Sequence, residues 1–177
     1  MERTVFGMML AKIEATYATD PTPTAEANLI AITRNGLKFN PKFGHVTRAI
    51  LDGTLSKVAG LNATPEVSFS FDVEVRGNRT DGIAADISKG SVANLVEIDC
   101  LLQACDLAAT YTAETGLGNR DGYVTYAPYV PTDMGKGVTI YFYTGLKLHK
   151  ITGCKGTVKG VLEAGKFGVL TFDMVGI

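Results

Sequence analysis

Two histidines and three cysteines are the first residues to weigh in this 177-residue chain, because imidazole and thiolate carry most acid–base, nucleophilic and metal chemistry near neutral pH. His45 and His149 lie far apart, and no triad is evident around either. His149 falls between Leu148 and Lys150 in an extended stretch and reads as a structural or surface residue. Cys100, Cys105 and Cys154 are odd in number, and their spacing fits no zinc pattern. They read as reduced, mostly buried thiols. The glycine-rich run 116–122 has the outline of a dinucleotide loop, but a strand follows it where a helix is required. Gly135-Lys136-Gly137 is too short to cradle phosphate and also opens a strand. The similar runs 78–82 and 119–122 read as turns rather than a repeat. Asp99, Gln103 and Asp106 share one stripe of a helix and read as solvated. These residues give no catalytic set, no cofactor site and no metal site, so the chain reads as a non-enzyme.

The elements that would have to position such residues are mostly strands. Hydrophobic content of 46% with 20% charged residues is ordinary for a globular domain. The net charge of −1 gives no global basic signal for nucleic-acid binding. No apolar run approaches the ~18 residues of a membrane span. The N-terminus lacks a small-residue cleavage site and does not read as a signal peptide. The reading is therefore one domain over 29–177, preceded by an arm at 1–28 that Pro21 and Pro23 hold out of any helix or central strand. Its apolar groups, Phe6, Met8, Met9, Leu10 and Ile13, favour docking on a neighbouring subunit over a free tail.

A strand is predicted over 29–40, bent at Asn35-Gly36. Residues 41–64 follow as a protruding loop or hairpin around Asp52-Gly53. Residues 66–76 alternate most clearly, with Val67, Phe69, Phe71, Val73 and Val75 on one face and Ser68, Ser70, Asp72, Glu74 and Arg76 on the other. A polar loop leads to the one helix, about 91–107, with Ser91 as its cap and Leu95, Ile98, Leu102 and Cys105 on one face. That helix would lie across a barrel end or sheet face, or at a subunit contact. Short strands and loops return over 111–133. Residues 137–177 read as four strands, 138–143, 146–151, 153–163 and 166–175, with Phe142, Phe167 and Phe172 among the core residues. The fold class is mainly β: an antiparallel sandwich or barrel with one flanking helix, an N-terminal arm and a protruding loop.

Three stretches carry a resemblance to a known family. They are Lys12-Ile13-Glu14-Ala15-Thr16-Tyr17-Ala18-Thr19-Asp20-Pro21-Thr22-Pro23-Thr24, the hairpin formed by Val138-Thr139-Ile140-Tyr141-Phe142-Tyr143 and residues 148–158, and the ending at 163–176. Together they resemble the tail tube proteins of tailed phages, whose superfold also builds the rings of type VI secretion tubes. The resemblance implies hexameric rings stacked into a hollow tube. The protein would be assembled in the host cytoplasm and reside in the virion tail, with tape-measure and other tail proteins as partners and no membrane anchor. Stacking needs projections, and the arm and the protruding loop supply the candidates: Phe6, Met9, Ile13, His45, Val46, Ile50, Leu51 and Leu55. DNA should pass without being gripped, because lumen-facing cations would bind phosphate. Asp72 and Glu74 are the lumen candidates. Two alternatives stand beside this reading: a tail terminator or secretion-tube ring component, and a small-ligand-binding β-barrel or enzyme.

Overall fold

Strict alternation over residues 66–76 and 169–176 leaves one face of each segment apolar, and such faces are stable only when packed against one another. In the computed structural model this is how they are used. It describes residues 8–33, 37–48, 60–76, 97–112, 123–129, 135–144 and 147–177. The strands are β1 (Met8–Ile13), β2 (Leu29–Ile30), β3 (Lys38–Lys42), β4 (His45–Val46), β5 (Leu61–Asn62), β6 (Glu66–Glu74), β7 (Leu107–Thr112), β8 (Tyr123–Pro128), β9 (Val138–Thr144), β10 (Lys147–Val161) and β11 (Val169–Gly176), with one helix, α1 (Asp99–Ala104). Seven strands form an antiparallel sheet in the order β2-β1-β9-β10-β11-β6-β3.

The sheet curls until its ends meet. Residues 29–33 start beside β1, with Leu29 and Ile30 opposite Leu10 and Met9. They then reach β6, where Ile32 bridges Val73 and the Thr33 N–H donates to the Asp72 carbonyl at 2.8 Å. β3 continues along β6. Phe39 of β3 touches Phe142 of β9 and His149 of β10, at 6.1 and 5.0 Å between ring centres. His149 is therefore a packing residue. The enclosed core centres on Phe71 and Phe172, stacked at 5.5 Å and fully buried, with Phe69, Ile140, Val138 and Met174 around them.

β10 belongs to both halves of the sheet. Its first part pairs with β9 and its second with β11. The two stretches read as separate strands are one strand with a bulge. Ile151 and Cys154 are both buried although three residues apart, which requires one extra residue between them. Gly153 supplies it at φ 61°, a backbone region that costs L-residues energy and glycine little. Further along, a Cβ on Gly156 would run into the Asp173 carbonyl and come within 2.6 Å of Met174 Sδ. The carbonyl belongs to the facing strand and cannot turn away. Gly156→Ala should therefore lose about 1–3 kcal/mol, read as a lower urea midpoint at unchanged slope.

The N-terminal arm is corrected most. Residues 8–13 are a strand inside the sheet, pairing with β9 from Met8↔Tyr143 to Ile13↔Val138. Residues 14–28 then fold back over the outer face of β1, β9 and β10, where the Glu14 carboxylate anchors them. Its Oε1 accepts from the Thr139 hydroxyl at 2.6 Å and the Gly153 N–H at 2.7 Å. Its Oε2 accepts from the Ala18 N–H at 2.7 Å. Further along, Tyr141 donates its hydroxyl to Asp20, and Lys12 donates to the Pro21 carbonyl at 3.0 Å. Lys150 lies 3.6 Å from Asp20 and over the Tyr141 ring. The Tyr141 hydroxyl bond holds the Asp20 carboxyl below its usual range. Both faces of β9 are thus covered, and Val138 through Phe142 are all buried.

The helix is shorter at its C-terminal end than the sequence predicts, since β7 begins at Leu107. Ser91 and Leu95 lie outside the described residues. α1 packs on β1, β9 and β10 through Ile98, Leu101, Leu102 and Ala104. Of its expected solvated stripe only Asp106 is exposed, while Asp99 and Gln103 are buried. Asp99 accepts from Gln103 Nε2 and from the Tyr126 hydroxyl of β8, each at 2.7 Å. The Tyr126 bond fastens β8 to the helix.

Candidate assembly surfaces

The protruding hairpin is an extension of two sheet strands. β3 pairs with β6 as far as Lys42↔Glu66, and β4 then pairs with β5 through His45↔Asn62 and Val46↔Leu61. Two residues (43–44) face three (63–65) between those pairs, so one extra residue next to Pro65 offsets the ribbon from the sheet. Every residue from 40 to 48 is exposed. Phe43 is 81% exposed, and Val46 and Leu61 both stand in solvent. The His45 imidazole lies over Gly60, where a Cβ would strike the ring. Of the expected assembly residues, His45 and Val46 are therefore surface groups on this ribbon. Ile50, Leu51 and Leu55 lie outside the described residues.

The arm candidates fare differently. Phe6 is outside the described residues. Met9 is 1% exposed in the chain's own core, and Ile13 packs against that core. Neither side chain is free to meet a neighbour, because the sheet that buries them is formed by β1 itself.

A second apolar surface has no counterpart in the sequence reading. The β10–β11 turn carries Leu162 and Phe167, 81% and 82% exposed, with Val161 beside them. Phe167, expected in the core, stands in solvent. Val75 joins this patch: its N–H donates to the Gly168 carbonyl at 2.9 Å, and both Val75 and Leu162 flank Gly168. The turn is tight, with Gly165 at φ 80° and Lys166 paired to Glu163 at 2.6 Å. The available signal was the lost alternation at 161–162, where two apolar residues run together and must point to opposite faces.

The lumen candidates sit on the polar face of β6. Asp72 accepts from the Thr171 hydroxyl at 2.6 Å, and Glu74 pairs with Arg76 at 2.8 Å. The registers bring both signs to this face: Asp173 beside Ser70, with Lys38 opposite on β3 and Lys159 bound to Asp173 at 2.8 Å. The Lys159 bond holds the Asp173 carboxyl below its usual range.

The thiols are placed for packing. Burial pushes Cys100 and Cys154 up to about 12 and Cys105 up to about 11, so all three are protonated at neutral pH. Among the described residues no group of three or more histidines, cysteines or carboxylates could hold a metal ion, and no helix is long and apolar enough to cross a membrane. Neither family models nor curated proteins match the chain.

Proposed function

We propose that this protein is the major subunit of a phage tail tube, a structural protein whose rings, six-fold as the resemblance implies, stack into a conduit for the genome. The observation that carries the reading is the ribbon of β4 and β5. A paired extension of two core strands presents Phe43, Val46 and Leu61 to solvent, and exposed apolar groups clustered on a projection call for a partner. The curled antiparallel sheet with one packed helix is the architecture that the resemblance implies. Lateral contacts within a ring fall to sheet edges, such as the outer side of β3. Asp72 and Glu74 would face the lumen on a surface of mixed sign that binds DNA weakly. Tape-measure and other tail proteins complete the set of partners.

Negative-stain microscopy of the purified protein at high concentration tests the reading. Tubes or six-fold rings are expected, and a monomer that stays dispersed under all conditions would refute it. In assembled virions, changing Asp72 and Glu74 to lysine should slow genome ejection while tubes still form. Unchanged ejection would remove these residues from the lumen.

A further inference from the structure

The ribbon and the β10–β11 turn occupy opposite ends of one strand. β6 begins at Glu66, paired with Lys42 at the base of the ribbon, and ends at Glu74, opposite Val169 beside the turn. Nine extended residues separate the two surfaces by about 30 Å. From this we infer that the turn is the docking partner of the ribbon on a second copy of this chain, so that each subunit presents one surface forwards and its complement backwards. The inference rests on the tube reading and gives it a direction and a contact.

Three features favour that occupant. A head-to-tail contact covers both apolar surfaces with one repeat, whereas an isologous pair joined end to end covers one and leaves the other wet. The charges at the turn are already matched within the chain, Glu163 with Lys166 and Glu74 with Arg76, so covering Leu162 and Phe167 strands no ion. Size supplies the third. The exposed aromatic and aliphatic groups of both surfaces amount to roughly 800 Å² in total, counting about 150–200 Å² for each ring. A stable isolated pair needs about 1,200 Å² or more. One such contact is too small to hold a dimer and becomes effective when a ring presents several at once.

Two variants with one introduced surface cysteine, Val46→Cys and Phe167→Cys, each with Cys105→Ser, test the contact. Each alone should remain monomeric on a non-reducing gel after assembly and mild oxidation. An equal mixture should give a disulfide-linked dimer joining positions 46 and 167, found only in the assembled fraction. Tubes that give no mixed dimer, or give 46–46 or 167–167 dimers, overturn the contact while leaving the tube reading intact. Wild-type protein that forms neither rings nor tubes overturns both. Phe167→Asp adds a second readout: its melting temperature should match wild type, and the concentration needed for assembly should rise at least about tenfold. Assembly at the wild-type concentration would refute the docking.

Discussion

Glu14→Ala should lower stability by on the order of 3 kcal/mol or more, a large part of what a domain of this size has to lose. Glu14 is buried, and its two oxygens accept from the Thr139 hydroxyl and the N–H groups of Gly153 and Ala18. Alanine leaves three donors without their acceptor, and each unpaired buried donor costs about 1–3 kcal/mol. It also releases the residues that cover the outer face of β9, so Leu10 and Tyr141 meet water. Glu14→Gln should lose less. Its amide oxygen can still serve Thr139 and Gly153, while its NH2 meets the Ala18 N–H donor to donor. Urea unfolding of the three proteins checks this, and equal midpoints for wild type and Glu14→Ala would show that the anchor is not needed.

Deleting residues 44–62 should leave the fold intact and abolish tube growth. The last pair of the sheet is Lys42↔Glu66, so the cut joins Phe43 to Ala63 and leaves a four-residue connection, an ordinary hairpin length. The described residues removed are all exposed but for Gly60, which is half-buried. The melting temperature should therefore move by no more than a few degrees. Microscopy at concentrations where wild type assembles should show no tubes, and normal tubes from the deletion would take the ribbon out of assembly.

The elements legible in the sequence are those with one wet face. Residues 66–74 alternate because β6 has a core side and a polar side, and both were assigned correctly there, but the reading ran to 76 and Val75, assigned to the core face, stands in solvent. The segment at 29–40 was recovered as extended, but it changes partner from β1 at Ile30 to β6 at Ile32, before Asn35-Gly36, which lie outside the described residues. β1 was missed because Met8–Ile13 is covered on both faces, which erases alternation, and because its main partner lies near residue 140. Asp20-Pro21-Thr22-Pro23 misled for a related reason. Prolines exclude a central strand, yet they suit an irregular segment laid over a sheet. Asp99 and Gln103 looked solvated because Tyr126, the residue that satisfies Asp99, is distant in sequence. The break read between 146–151 and 153–163 is a bulge within one strand, and the β10–β11 turn was read for its glycine rather than for the apolar residues around it. Of the candidate surfaces, the ribbon was visible as an Asp-Gly hairpin signal, and the second surface was not.

The pairing of β1 with β9 also orders events during synthesis. Met8–Ile13 is made more than a hundred residues before its partner Val138–Thr144. At about 5–20 residues per second, translation separates the two by several seconds to tens of seconds. Through that interval Met9, Leu10 and Ala11 have no sheet to enter. The early segment must wait beside the ribosome as exposed apolar chain, open to chaperones or to other nascent copies. Loop closure over so much intervening chain also makes this pairing slow. A strand held inside the finished sheet is thus among the last to find its place.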